Sequence, residues 1–169
     1  MDAFEKLIAH EEIRQLAARY ALAVDSRDLD TLVDLFVEDV QVGRADRGRE
    51  ALRASFEASL RSVGVTILNV GTHVIDLVDE THAVGKVYCK GEVERAGRWI
   101  HQAILYDDTY ERREGRWYFV RRKHLLWYDA EVGKSPLGLP PVDRLESQEG
   151  LGTIPEAWET WRQFLEGDR

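Results

Sequence analysis

Four long stretches with the alternating pattern of β-strands follow one another in the second half of the chain. They span residues 65–78, 83–95, 99–112 and 116–128. Short segments rich in turn-forming residues separate them, at residues 79–82, 96–98 and 113–115. Strands joined so tightly pair with their neighbours in antiparallel order, because a parallel connection needs a dozen residues or more. The second half of the chain is therefore predicted to form an antiparallel meander.

Three amphipathic helices are predicted ahead of these strands. The first spans residues 3–24, and apolar side chains recur along it at helical spacing, at Ile13, Leu16, Ala17, Tyr20 and Val24. The second spans residues 28–36, and the third, residues 47–62, ends beside Gly64 as helices commonly do. A half-buried sheet needs a covering layer, so three helices over one face predict an α+β fold.

The C-terminal residues have a different composition. Prolines exclude a regular helix or a central strand over residues 134–141. A final short helix is predicted from Thr153, which has capping-box spacing to Glu156, and its apolar stripe contains Ala157, Trp158, Trp161, Phe164 and Leu165. We therefore predict a domain over residues 1–130 and an extension over residues 131–169. Its helix is expected to pack on the sheet, to cap a cavity or to dock on a neighbouring subunit.

Composition and charge exclude several classes of function. The 169 residues suit one domain, and the net charge of −8 comes from interspersed acids and bases, which makes nucleic acid and anionic membranes poor partners. Cys89 is the single cysteine, which excludes an intramolecular disulfide and fits a reducing cytoplasm. The first residues lack the regions of a signal peptide, and no apolar run reaches the ~20 residues of a membrane span. A cytoplasmic protein is expected.

Two phrases of the sequence carry a family resemblance. The first is YALAVDSRDLDTL at residues 20–32 with LFVEDV at residues 35–40, and the second is YERREGRW at residues 110–117. Both resemble the SnoaL-like branch of the nuclear transport factor 2-like superfamily. The resemblance implies a cone-shaped barrel, made of a curved antiparallel sheet under three N-terminal helices. It also implies an apolar pocket, and enzymes of the branch include scytalone dehydratase and hexachlorocyclohexane dehydrochlorinase.

The resemblance further implies a set of catalytic residues. Asp25 matches the acid of the family at the end of the first helix, and Tyr20 matches a tyrosine that holds a substrate oxygen. On an ideal helix these two side chains point about 140° apart. Family members carry a catalytic histidine on the first long strand, often as His-x-x-x-Asn, whereas this chain has Asn69-Val-Gly-Thr-His73. His73 is the first candidate base, with Asp25 orienting its imidazole, and strict alternation would place Asn69 on the same face.

Further candidates lie on the other strands. Arg122 matches a cavity-lining arginine of the family, and it would stabilise a leaving anion or simply pair with a core carboxylate. His124 is the rival base because it shares the strand face of Arg122. Tyr106 is predicted to line the pocket, and Cys89 to fill it as a small apolar residue. Two candidates have structural alternatives, since Asp25 could cap the second helix and His73 could be a core histidine.

No motif in the sequence indicates a metal or a cofactor. The histidines lack metal-ligand spacing, and neither a phosphate-binding glycine loop nor Gly-x-Ser-x-Gly is present. The prediction is a cofactor-independent lyase, a dehydratase or a related elimination enzyme, acting on a hydrophobic, aromatic or polycyclic small molecule. An isomerase or a polyketide-type cyclase would need almost the same groups, and a non-catalytic ligand-binding or assembly module is the alternative from another class. A homodimer or homotrimer is expected, with tryptophans such as Trp127 at the interface.

Overall fold

The computed structural model describes residues 1–133, 139–142, 150–153 and 157. In chain order its elements are α1 (Ala3–Ser26), α2 (Leu29–Asp34), β1 (Gln41–Val42), β2 (Asp46–Arg47), α3 (Arg49–Arg61), β3 (Thr66–Leu77), β4 (His82–Arg95), β5 (Arg98–Arg113), β6 (Arg116–Glu131) and β7 (Gly150–Leu151). The three helices and four long strands predicted from the sequence are confirmed. The short hairpin of β1 and β2 and the short strand β7 were not predicted.

Helix α1 is fixed at both ends and positions one side of the candidate site. Asp2 caps its start, because the Asp2 carboxylate accepts hydrogen bonds from the backbone N–H groups of Phe4 and Glu5 while the Glu5 side chain accepts from the Asp2 backbone. The helix ends at Arg27, whose backbone adopts the left-handed conformation at φ 60°. No helix among the described residues has both the length and the apolar character that a membrane span requires.

The large sheet has the order β3-β4-β5-β6-β7, and every neighbouring pair is antiparallel. Two-residue turns at Ala96–Gly97 and Glu114–Gly115 join its longest strands, and all four residues have positive φ, as a tight hairpin with right-handed twist requires. The sheet is open, since its two edge strands, β3 and β7, do not pair with each other in the described part of the chain. The α+β fold with N-terminal helices is confirmed, whereas the cone-shaped barrel that the family resemblance implied is corrected to an open sheet.

Three bulges interrupt the strand alternation and decide which side chains face inward. The pairing register shifts between Val70 and His73 on β3, and it shifts twice more on β6, at Val120 and at Trp127. An extra residue in a strand moves all following side chains to the opposite face. The prediction that Asn69 and His73 share a face is therefore wrong: Asn69 is exposed on the outer face, whereas His73 is half-buried on the inner face.

Part of the C-terminal extension joins the sheet. Strand β7 pairs with the end of β6 at Tyr128 and Asp129, and Val142 donates its backbone N–H to the Leu151 carbonyl at 2.7 Å. The helix predicted from Thr153 onward, with its tryptophan stripe, lies outside the described residues apart from Thr153 and Ala157. The division of the chain near residue 130 stays a prediction.

Candidate active site

A cavity of about 480 Å³ lies between the helical layer and the inner face of the sheet. This volume is within the range of small-molecule sites. Much of its wall is apolar, with side chains of Val24, Phe56, Leu60, Leu68, Val93, Ile104, Leu126 and Val142. Hydroxyl side chains of Ser55, Ser59, Ser62 and Thr66 also line it, and two further polar groups lie on the sheet side. One contains Tyr20, Tyr106 and His124, and the other contains Arg95, Gln102 and Asp129.

An imidazole and two phenols meet at the first polar end of the cavity. His124 on β6 is the cross-strand partner of Tyr106 on β5, and their ring centres lie 5.6 Å apart. Tyr20 reaches the same place from α1, with its ring 5.8 Å from that of Tyr106. Burial raises the pKa of Tyr20 and raises that of Tyr106 well above its ordinary value. Both phenols therefore stay protonated near neutral pH and can donate a hydrogen bond.

The second polar end is a buried ion pair with an amide beside it. Asp129 accepts hydrogen bonds from Arg95 through Nη1 at 3.3 Å and Nη2 at 3.1 Å, and from Gln102 Nε2 at 2.6 Å. The Asp129 side chain is 1% exposed. Asp129 faces inward because the bulge at Trp127 shifts the end of β6 by one residue. The sequence did not indicate Asp129 for this reason, and it did not indicate Arg95 or Gln102 because no local pattern marks them as partners of Asp129.

A separate network of polar side chains lies buried beneath the helices. Arg122 binds Asp108 with two hydrogen bonds, at 2.9 Å through Nε and 2.6 Å through Nη2. Tyr110 donates its hydroxyl hydrogen to Asp108 at 2.8 Å, and His73 Nε2 lies 3.1 Å from the Tyr110 oxygen. The sequence left open whether Arg122 would pair with a core carboxylate, and the structure contains that pair.

Arg122 also stabilises the wall of the cavity. Its guanidinium carbon lies 4.4 Å from the Tyr20 ring centre and 4.2 Å from that of Tyr106, and it lies 4.4 Å from the Phe119 ring. Although burial opposes the charged form, the hydrogen bonds and the charge of Asp108 raise the pKa of Arg122 above its ordinary value. A permanently charged guanidinium thus packs against both cavity phenols and holds their rings in place.

The hydrogen bonds of this network fix the tautomer of His73. An ionised carboxylate only accepts, so the Tyr110 hydroxyl must donate to Asp108 and its oxygen must accept from His73. His73 therefore carries its hydrogen on Nε2. Burial lowers the pKa of His73 to about 4, so its ring is neutral near pH 7. His73 does not contribute to the wall of the 480 Å³ cavity.

The lowered pKa of His73 predicts a pH dependence of stability. Because the unfolded chain binds a proton on this residue near pH 6.5 and the folded chain only near pH 4, the free energy of unfolding decreases as pH falls through that interval. His73→Gln removes this contribution, which is at most about 1.4 kcal/mol per pH unit. Urea unfolding of both proteins across the interval measures the difference. Parallel pH profiles for the two proteins would contradict the assignment.

Asp25 has a different environment from the one that the resemblance implied. Its carboxylate accepts a hydrogen bond from the Thr66 hydroxyl at 3.0 Å and one from the Leu68 backbone N–H at 2.9 Å. Asp25 thereby ties the end of α1 to the start of β3. Within the described residues Asp25 and His73 are not joined by a hydrogen bond: Asp25 bonds to Thr66 and Leu68, and His73 Nε2 bonds to Tyr110. The structure thus brings Tyr20, Tyr106 and His124 together, and it separates Asp25 from His73.

The two remaining candidates, Cys89 and Asn69, lie on opposite faces of the sheet. Cys89 is buried on the inner face among Val87, Ile104, Tyr106 and Leu126. Burial raises the pKa of its thiol to about 11, so it is a neutral, apolar residue of the core. It does not line the 480 Å³ cavity, so its predicted place in the pocket is corrected. Asn69 lies on the outer face, where it lines a separate groove of about 420 Å³ with aromatic side chains that include Tyr88 and Trp127. The expected contact of Asn69 with the inner cavity is therefore corrected.

Comparison with known proteins gives a family and a fold. Residues 5–123 match the model of the SnoaL-like domain family. Among solved structures, the chain is similar to LinA, with a TM-score of 0.72 and 20% identity over 80% of this chain and 97% of the other. It is also similar to the LinA-type3 hexachlorocyclohexane dehydrochlorinase of Novosphingobium barchaimii, with a TM-score of 0.70 and 19% identity over 79% and 97%.

A third similar structure comes from Novosphingobium aromaticivorans and is assigned as a scytalone dehydratase. It aligns with a TM-score of 0.67 and 21% identity over 79% of this chain and 99% of the other. At these identities the likeness establishes the fold alone. Among curated protein sequences, none matches this chain significantly.

Proposed function

Because this chain belongs to the SnoaL-like domain family, we propose that it is a cofactor-independent lyase for a hydrophobic ring compound. One observation carries the proposal: His124, Tyr20 and Tyr106 meet inside a single cavity, beside apolar side chains such as Ile104 and Leu126. The similar structures include dehydrochlorinases and a protein assigned as a dehydratase, which remove hydrogen chloride or water. An elimination needs a base, a group that stabilises developing charge and a site with little water.

In this proposal His124 is the base. An imidazole titrates near neutral pH, which suits it to remove a proton from a carbon next to a carbonyl group. The hydroxyl groups of Tyr20 and Tyr106 donate hydrogen bonds to the carbonyl oxygen as negative charge develops on it. The electron pair of the broken C–H bond forms the new double bond while the C–O bond breaks. The imidazolium then returns its proton to the departing hydroxyl, so that water leaves and His124 is neutral again.

Asp25 and His73 have no part in this mechanism. Their side chains belong to two separate hydrogen-bond networks, one at the start of β3 and one beneath the helices. The same set of three cavity residues could also move a proton in an isomerase or a cyclase, since both begin with proton removal beside a carbonyl group. Loss of water is the reaction that we propose to test first.

Turnover of a compound panel tests the proposal. The panel contains fused-ring β-hydroxy ketones and chlorinated cyclohexanes, and mass spectrometry detects loss of water or of hydrogen chloride. We expect product from at least one class after exhaustive dialysis against a chelator, because the mechanism uses side chains alone. A product of unchanged mass would favour the isomerase instead. Tight binding without any product would contradict catalysis and favour a ligand-binding module.

A further inference from the structure

The cavity has a second polar end, which the proposed elimination does not use. We propose that the cluster of Arg95, Gln102 and Asp129 is a subsite that binds a hydroxyl group of the ligand. The inference rests on the proposed function only in placing the ligand in this cavity. It assigns to the ligand an oxygen function remote from the reacting carbon.

The hydrogen bonds within the cluster leave one acceptor and further donors for a ligand. Asp129 accepts a hydrogen bond from one N–H of each terminal nitrogen of Arg95 and from one N–H of Gln102. Each terminal nitrogen of Arg95 carries a second N–H, and the Gln102 Oε1 atom accepts no hydrogen bond from the described residues. An acceptor thus lies beside N–H donors in the wall of the cavity.

The charges of the cluster favour a neutral ligand group. Arg95 and Asp129 form an ion pair whose net charge is zero. A hydroxyl group can donate to Gln102 Oε1 and accept from an Arg95 N–H at the same time. A carboxylate cannot donate to Gln102, and the buried charge of Asp129 repels it. A ketone can use the donors but makes no hydrogen bond to the Gln102 oxygen, so it gains one hydrogen bond fewer than a hydroxyl group does.

The register of the strands sets the size of the ligand. Gln102 and Tyr106 are four residues apart on β5, which corresponds to roughly 13 Å along the strand. Ile104 and its cross-strand partner Leu126 form the wall between the two polar ends. A ligand that contacts both ends therefore has an apolar body of about two or three fused rings. The structure thus points to a hydroxylated polycyclic compound as the substrate class.

Binding of three naphthalene derivatives tests the subsite without any need for turnover. The probes are 2-naphthol, the isosteric 2-methylnaphthalene and the anionic 2-naphthoate, each titrated by tryptophan fluorescence. The full chain is expected to bind 2-naphthol about fivefold more tightly than 2-methylnaphthalene, the value of one net hydrogen bond. Gln102→Leu is expected to abolish this preference and to keep the affinity for 2-methylnaphthalene. Gln15→Leu makes the same chemical change on the exposed surface of α1 and should keep the preference.

Failure of the subsite and failure of the lyase proposal give different results. His124→Gln should keep the preference for 2-naphthol even if no compound of the turnover panel reacts, because the cluster does not involve His124. A wild-type chain that binds neither neutral probe, or binds both equally, would overturn the inference. Persistence of the preference in Gln102→Leu, or equally tight binding of 2-naphthoate, would also overturn it.

Discussion

Arg122→Met is expected to lower the free energy of unfolding by about 3–5 kcal/mol, because it leaves a buried carboxylate without its cation. Asp108 is 2% exposed, and the Arg122 side chain is 3% exposed. Tyr110 would remain as a hydrogen-bond donor to Asp108, but a neutral phenol cannot balance the charge. Urea unfolding followed by circular dichroism measures the change. The variant should also loosen the first polar end of the cavity, since Arg122 packs on Tyr20 and Tyr106.

Two control variants separate the loss of charge balance from the loss of packing. The double variant Asp108→Leu/Arg122→Met removes both charges, so we expect it to recover much of the lost stability. Lys86 and Asp107 form a similar pair on the outer face of the sheet, at 2.9 Å, where both side chains are exposed to solvent. Lys86→Met should therefore cost less than about 1 kcal/mol. Equal losses in Arg122→Met and Lys86→Met would contradict this account of the buried network.

His124→Gln is expected to reduce kcat at least about 100-fold on any compound that the wild-type chain converts. Glutamine keeps a polar side chain of similar reach, but it cannot take up a proton near neutral pH. The free energy of unfolding should change little, so that the loss reflects the missing base. Steady-state kinetics with the first confirmed substrate measures the effect. An unchanged KM would indicate that binding is intact and that the chemical step is slowed.

Two further histidines provide matched controls for this prediction. His101 is exposed on the outer face of β5, and His101→Gln should leave kcat unchanged. His73→Gln should reduce kcat far less than His124→Gln does, because His73 does not line the cavity. A loss in His73→Gln as large as that in His124→Gln would return the role of base to the buried network. It would then contradict the mechanism proposed here.

The long elements of this fold could be predicted from sequence because their patterns are local. Alternation and turn residues located all four long strands, and helical periodicity located α1 to within two residues of its end. The bulges could not be predicted, because an inserted residue leaves the alternation on each side of it intact. Asn69 illustrates the consequence, since two residues of β3 between Val70 and His73 lie opposite the single residue Tyr88 of β4, and this one extra residue places Asn69 and His73 on opposite faces.

The candidate site was harder to predict than the strands and helices, because its hydrogen bonds join residues that are distant in the sequence. Sequence reasoning placed His124 and Arg122 on one strand face, and the structure has both on the inner face. It could not predict that Asp108 pairs with Arg122, or that Asp129 bonds to Gln102, because both contacts depend on the register of β5 against β6. The family resemblance directed attention to Asp25, whose carboxylate bonds to Thr66 and Leu68.

Imidazole resonances measured by NMR during titration with 2-naphthol test the central claim most directly. The chain has five histidines, and single His→Gln variants assign their signals. If a ring compound binds in the inner cavity against His124, the His124 resonances shift on saturation, while those of exposed His82 and His101 do not. Shifts at His101 with none at His124 would place the ligand on the outer face of the sheet and contradict the account.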